Sequence, residues 1–469
     1  MFFKKVIHIF WIFQNFSLSY YKHSSKDANC AKSSGRIILY QVKKVLHCHF
    51  PTLSQQISQL ADIRSRKEYR IEELVVGGVM LFLFKSTSRN DFDRKRKDHV
   101  FVKNYYRVFG LRLPSMEAID DLLEVLDHDA LEALKGHLLC VLIEKKVFHR
   151  FRFLGYWTVA VDATGVYNWG ETFVDFALHK TSSSGKTTYF SNILEAKLVT
   201  TTGLSIPLAS EWIYNGEDDY QKQDCEQSAF KRLAVTLKKR FPRLPVCILA
   251  DGLYPNAPFM DICQENQWKY IAVFKDGNLP SVWEEVELLP GCAFRHQTHQ
   301  YATKTHQFTL QYKWVKDIDY QKRMLNWVEC RQTKVHTSTG EKTETKFVYI
   351  TNMDVTGENV IQLVEHARSR WMIEESFNTQ KNRGYQLHHK FNRTNFTAIK
   401  NWHSLRLLAH MINQLIEKSL PFKELLVGKE TVKNLWEIFR AFFLMVELEP
   451  EFIVQVCHIT NIRMQVRLE

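Results

Sequence analysis

No stretch of this sequence is apolar for long enough to cross a bilayer. The two apolar runs, "MFFKKVIHIFWIF" at the start and "LVVGGVMLFLF" from Leu74 to Phe84, both fall short of the roughly 20 residues a spanning helix needs. The first has the two lysines of a secretory leader, but His8 interrupts it, Gln14 and Asn15 end it, and no small-x-small cleavage site follows. It reads as a terminal helix or an extension outside the folded unit. The second is flanked by Glu72-Glu73 and Lys85 and reads as a buried helix. Zinc spacing is missing too. The nine cysteines are scattered with no C-x2-C pair, and their odd number in a chain of 469 residues argues for reduced thiols in a cytosol, not a disulfide framework. His47-Cys48-His49 is the nearest approach to a ligand cluster, and no second half follows it. There is no internal repeat. Negative charge is in deficit, with 51 acids against 63 lysines and arginines and a net charge of +12. That surplus points to a polyanion partner, most commonly nucleic acid.

What is present is a globular composition, 45% apolar and 24% charged, in a chain long enough for several domains. The polar stretch "SSKDANCAKSSGR" reads as a linker, so residues 1–40 are expected to be an N-terminal extension, disordered or outside the folded unit. Residues 41–150 follow helical spacing, as in Ile71, Leu74, Val75, Val79 and in Ile119, Leu122, Leu123, Leu126, with Ser115 as an N-cap for the second run. Between these helices lies "SRNDFDRKRKDHVFVKNYYRVFGLRL". Its Arg94, Lys95, Arg96 and Lys97 are candidate phosphate contacts among aromatic residues.

From about residue 151 the period changes to that of strands. "FRFLGYWTVAVDATGVYNWG" and "TTYFSNILEAKLVTTTGLSIPLASEWIY" predict three consecutive antiparallel strands. A helix near 224–240, the strand "LPVCILAD", a helix from Pro255 and the strand "KYIAVFK" follow. The order β-β-β-α-β-α-β predicts a mixed sheet with helices on it, an α/β fold. Residues 276–352 return to β pattern and look like an inserted subdomain. A single helix is expected from Asn359 to about Arg383, with Gly384 as its C-cap. Residues 353–420 thus hold that helix and the next one, and 421–469 form a C-terminal region.

Three acids break this pattern. Asp162 sits inside the strand "TVAVDATG", on the face of Ala160 and Thr164, where a carboxylate is expensive unless paired or bound to a cation. Asp251 ends "VCILA", at the carboxyl end of a strand, where ligands meet open α/β sheets. Glu374 lies in "RWMIEESFNTQK". At 100° per residue, Glu374 and Lys381 fall about 40° and about 20° from Arg370, on one stripe, while Glu375 turns aside at about 140°. Two acids on strands and one on a helix suit two-metal phosphoryl transfer: hard cations take few protein carboxylates, and nearby Arg and Lys hold phosphates. Each acid also has a plain reading: an edge-strand residue, an Asp-Gly turn, a helix salt bridge.

In this order Asp162, Asp251 and Glu374 resemble the triad of the DDE transposases, whose catalytic fold is ribonuclease-H-like. The β block before the Glu helix resembles the insertion of bacterial cut-and-paste insertion-sequence transposases, the IS-four group. Their signature Tyr-x2-Arg-x3-Glu-x6-Lys is matched by Arg370, Glu374 and Lys381, with Ala367 where the Tyr would stand. "NRGYQLHHKFNR" and the following helix are similar to the family's continuation.

The resemblance covers about residues 50–420 and implies a ribonuclease-H-like core over 151–275, resumed from 353, with a helical DNA-binding region before it. It implies two Mg2+ or Mn2+ ions on the three acids, which nick the element end. The 3′-OH then forms and reopens a hairpin and attacks target DNA. Hairpin formation favours a base flipped onto an aromatic ring, for which Trp283, Trp314 and Trp327 are candidates, and Lys275 is a candidate phosphate contact. The implied partners are double-stranded DNA, as terminal inverted repeats and target, and a second copy of the chain. The implied place is a bacterial cytoplasm, at the nucleoid. Two alternatives are a nuclease of the same fold without strand transfer and a non-catalytic DNA-binding regulator.

Overall fold

The computed structural model describes residues 25–65, 67–215 and 223–458, with side chains from residue 32 onward. The apolar start of the chain lies outside the described residues. Along the chain come α1 (Ser25–His49), α2 (Leu53–Ser58), α3 (Ile71–Leu83), α4 (Arg89–Arg96), α5 (His99–Phe109), α6 (Met116–Val125) and α7 (His128–Glu144). Next are β1 (Trp157–Gly170), β2 (Leu178–Thr181), β3 (Thr187–Val199), β4 (Ser205–Ile213), α8 (Glu226–Arg240), β5 (Val246–Ala250), α9 (Ala257–Glu265) and β6 (Lys269–Val273). Then follow α10 (Pro280–Leu288), β7 (Arg295–Ala302), β8 (His306–Tyr320), β9 (Arg323–His336) and β10 (Lys342–Thr351). The last elements are α11 (Val360–Arg368), α12 (Trp371–Asn382), α13 (Phe396–Glu417), α14 (Leu420–Lys423), α15 (Val432–Met445) and α16 (Pro450–Cys457). The chain divides into two compact units. One holds residues up to Leu138 with Arg383–Tyr385 and those from Thr397 on; the other holds Leu139–Asn382 and Gln386–Phe396.

The first unit is helical. From Ser25 on, the stretch expected to be a linker is instead part of α1, and Ile38, Leu39, Val42 and Val45 of that helix are fully buried. Gly35 is a packing residue: a Cβ there would come within 2.4 Å of the Phe442 ring of α15, so only glycine allows that approach. His47-Cys48-His49 accordingly lies on a helix. The apolar run Leu74–Phe84 is the buried core of α3, as expected, and among the described residues no helix is long and apolar enough to cross a membrane. Ser115 caps α6, its hydroxyl accepting the Ala118 N–H at 3.2 Å. Most of α13 is buried here among α6 and α7. Ser404 donates to Glu132 at 2.7 Å, and Asn401 donates to the Leu123 and Leu126 carbonyls. Residues from Thr397 therefore cluster with the helical unit, although the sequence grouped them with the catalytic region.

The second unit is built on one ten-stranded sheet in the order β2-β3-β1-β5-β6-β10-β9-β8-β7, with β4 also pairing β3. β1, β5 and β6 are parallel, and the other pairs are antiparallel. The run β4-β3-β1-β5-β6 is the ribonuclease-H-like core that was expected, with β2 as an additional short strand. β7 to β10 do not form a separate sheet. Tyr349, Ile350 and Thr351 of β10 pair with Val273, Ala272 and Ile271 of β6, so the inserted strands continue the core sheet. One face is covered by α11 and α12: Ala160, Val199, Cys247, Leu249 and Ile271 pack with Val360, Leu363, Ala367, Ile373 and Phe377.

The single helix expected from Asn359 to Arg383 is broken at Ser369. The Ser369 hydroxyl donates to the His366 carbonyl at 2.6 Å, and the Arg370 N–H reaches back only three residues, to Ala367. Such short-range bonds tighten and end a helix. A new helix, α12, then begins just before Glu374.

Candidate active site

β1 runs through the middle of the sheet, between β3 and β5. Asp162 is therefore on a central strand, not an edge. Its antiparallel partner is Glu195 of β3. The parallel register with β5 pairs Ala160 with Leu249. Carried two residues further, it sets Asp251, the first residue beyond β5, beside Asp162. Backbone groups hold both carboxylates: Asp162 Oδ1 accepts the Ala163 N–H at 3.0 Å, and Asp251 Oδ1 accepts the Leu253 N–H at 2.9 Å. Glu374 lies in the first turn of α12. Arg370, in the break before α12, joins two of the three. Its Nη2 is 2.5 Å from Glu374 Oε1 and its Nη1 is 3.7 Å from Asp162 Oδ2. The helix break thus turns Arg370 and Glu374 toward β1 together.

The Asp162 carboxyl is pushed up to about 7. Burial is the main cause. Arg370 opposes it, while the negative charges of Glu226, Glu374 and Asp251 reinforce it. Glu226, which sequence reasoning missed, opens α8 and accepts the Tyr254 hydroxyl at 2.8 Å. Burial raises its carboxyl too, and the charge of Asp251 adds to that. An acid in a first helical turn is ordinary in a sequence. Only the bond from Tyr254, three residues past Asp251, ties Glu226 to the site. Glu195 and Lys197 were also missed, and both are fully buried, with Lys197 Nζ 2.7 Å from Glu195 Oε2. Strand alternation in "NILEAKLV" puts them on one face, which was the available signal.

Lys275 stands at the edge of this site. Its methylenes lie across Gly252, where a Cβ would meet Lys275 Cδ at 2.6 Å. The Asn278 side chain fastens the two: it accepts the Lys275 N–H at 2.9 Å and donates to the Gly252 carbonyl at 3.0 Å. Lys381 is on the Glu374 flank of α12, two turns on. Glu375 accepts instead from Asn378 at 3.3 Å, away from Arg370. Among the described residues no group of three or more His, Cys, Asp and Glu side chains is arranged to hold a metal ion. The Arg370 guanidinium, and not a shared ligand set, links Asp162 to Glu374.

Other expected site residues are placed elsewhere or differently. Trp314 and Trp327 are 5% and 2% exposed, so neither offers a ring face to a base. Trp283 is half-buried, stacked on Phe274 at 4.7 Å, with its N–H on the Lys275 carbonyl. Lys95 is no phosphate contact: it is buried, with Nζ 2.7 Å from Asp91 and 2.8 Å from Ser86. Arg94 and Lys97 are exposed and Arg96 is half-buried beside Asp93, all in the helical unit. Ala367, at the family's Tyr position, packs in the core under α11.

The sheet order β4-β3-β1-β5-β6 brings Asp162 and Asp251 side by side near its centre, with Arg370 and Lys275 beside them. Residues 219–412, which include Asp251, Lys275, Arg370, Glu374 and Lys381, match the family model of the transposase DDE domain. That part of the chain is thus similar to a transposase DDE domain, which supports DNA transposition by phosphoryl transfer as its class of function. No curated protein matches the sequence. Among solved structures, a cryo-EM structure of a piggyBac transposase synaptic complex with hairpin DNA is 12% identical, with a TM-score of 0.38. The match covers 92% of this chain and 84% of that one.

Proposed function

We propose that this chain cuts the ends of a mobile DNA element and joins them to target DNA, with Asp162, Asp251 and Glu374 as the acids that take two Mg2+ or Mn2+ ions. The observation that carries the reading is Asp162 on the central strand, joined through Arg370 to Glu374 and set by register beside Asp251. The donor atoms are all oxygen, the type a hard divalent cation takes, with a central carboxyl raised to about 7 by burial and by its acidic neighbours. Such ions, when bound, activate an attacking oxygen and stabilise a leaving one.

The remaining work falls to the chain's own side chains. Arg370 orients Glu374 and offers its fork to a phosphate oxygen. Lys275 and Lys381 supply further cations along the same strand of DNA. Exposed Arg94 and Lys97, with half-buried Arg96, contact phosphates elsewhere on the duplex, and Trp283, half-buried, is the remaining stacking candidate. Pairing two element ends requires two copies of the chain, so a homodimer on DNA is the expected working form, at the nucleoid of a bacterial cytoplasm.

The test uses labelled DNA carrying the sequences that flank the coding region, incubated with the full chain and Mg2+. Cleaved and joined products support transposition. Cleavage without joining identifies a nuclease, and binding without either identifies a regulator. Asp162→Ala, Asp251→Ala and Glu374→Ala should each abolish cleavage and leave binding. Full cleavage by all three would refute the site.

A further inference from the structure

The buried Lys197–Glu195 pair has no part in the chemistry above, yet it lies on the face of the sheet that carries the site. In the antiparallel register Glu195 is opposite Asp162 and Lys197 is opposite Ala160. Opposite residues share a face, so all four look toward α12. Lys197 Nζ lies 2.7 Å from Glu195 Oε2, 2.8 Å from Ser376 Oγ and 4.4 Å from the Phe377 ring centroid. Ser376 and Phe377 follow Glu374 by two and three residues on the same helix. Burying an ion pair is often no more stabilising than packing apolar residues in its place. What it adds is direction, because a hydrogen bond to Ser376 is satisfied at one rotation of α12 and an apolar contact at many.

That rotation matters to Glu374. With 100° per residue, Ser376 and Glu374 project about 160° apart, on opposite flanks of a buried face made by Ile373, Phe377 and Gln380. Holding Ser376 down on one flank fixes how far Glu374 reaches toward β1 on the other. A side chain ends about 5–6 Å from the helix axis, so a turn of about 10° moves it by about 1 Å. Misplacement of that size in a catalytic constellation can cost about 100-fold in rate.

We propose that Lys197, braced by Glu195, is a positioning residue: through Ser376 it sets the rotation of α12 that aims Glu374 at Asp162. The inference rests on the transposase reading of the same acids.

The test is Ser376→Ala in the full chain, with Ser376→Thr as the variant that keeps the hydroxyl and Lys197→Met as the variant that removes the cation. DNA carrying the coding region's flanks is the substrate and Mg2+ the ion. Ser376→Ala deprives the buried Lys197 ammonium of one acceptor, so it is expected to melt somewhat lower yet stay folded at the assay temperature, and to keep its KM for DNA. Its kcat for end cleavage should fall at least about 10-fold, and Ser376→Thr should restore most of it. A merely destabilised helix would instead affect binding and turnover together. If wild type cuts and Ser376→Ala cuts equally well, the positioning role is refuted. The same holds if Lys197→Met stays folded and cuts at the wild-type rate. A wild-type chain that cuts nothing refutes instead the transposase reading on which the role depends.

Discussion

Replacing Asp162 with asparagine should make the folded chain more stable at alkaline pH while destroying its activity. The carboxyl rises from an ordinary 3.8 to about 7, mainly through burial. A raised carboxyl favours the folded state while it is protonated. Its contribution is intact below about pH 4, where the folded and unfolded chains are both protonated, and is lost as pH rises through about 7. Asparagine carries no charge at any pH and imitates the protonated acid. It can also keep the Ala163 N–H bond that Asp162 accepts. Every tenfold weakening of the acid is worth about 1.4 kcal/mol, and a rise from about 4 to about 7 sets a ceiling of about 4 kcal/mol. The side chain is 21% exposed, and solvent screening brings the expectation to roughly 2–4 kcal/mol. The assay is urea unfolding of both proteins between about pH 3 and about pH 8. The advantage of Asp162→Asn should be small at the acid end and grow by roughly 2–4 kcal/mol at the other. Added Mg2+ should narrow the gap by stabilising the wild type. A stability difference that stays flat across this range would refute the argument that Asp162 is a strained central acid.

The cationic rim gives two further tests. Gly252→Ala places a Cβ within 2.6 Å of the Lys275 stem, so it should displace that side chain. DNA affinity should weaken and its slope against log salt should drop by about 1, as it should for Lys275→Ala, with no further loss in the double variant. In the helical unit, Lys95→Ala should cost about 1–3 kcal/mol in a urea melt, because it removes the bonds of a buried ammonium to Asp91 and Ser86 while Asp91 keeps the Thr87 N–H and Arg94, and should leave the salt slope unchanged. Arg94→Ala should do the reverse. Trp283→Ala should reduce hairpin formation more than first-strand nicking, measured on the same labelled ends, whereas a matching loss in both would mean that the ring only packs on Phe274.

Much of the catalytic unit was legible because period and chemistry agreed. Alternation placed Asp162 on a buried strand, and an apolar run ending in Asp251 placed the second acid at a strand end. Glu374 was legible through its spacing from Arg370, although the helix that carries it is shorter than the spacing suggested. The Ser369 break was hidden because apolar periodicity runs through it, and only short-range bonds such as the hydroxyl's to the His366 carbonyl mark it. Other features were hidden because they depend on tertiary partners. Lys95 looks like its exposed neighbours until Asp91 and Ser86 close on it. Trp314 and Trp327 look like stacking platforms until β8 and β9 bury them. Small polar residues before Ile37 look like a linker until Phe442 packs against Gly35. Glu226 needs the fold itself, since nothing near it in sequence points to Asp251.

The pairing of β10 with β6 has a consequence for how the molecule can be cut or built. Strands β7 to β10 cannot be trimmed away as a module, because their last residues are the neighbour that closes the core sheet at β6. Excising residues 276–352 would leave β6, whose centre is buried, as a bare edge with unpaired backbone groups, the geometry that invites other chains to add on. A shortened catalytic fragment should therefore precipitate unless residues 349–351 are kept as a capping strand. The block that distinguishes this chain from a minimal nuclease core also keeps that core from polymerising.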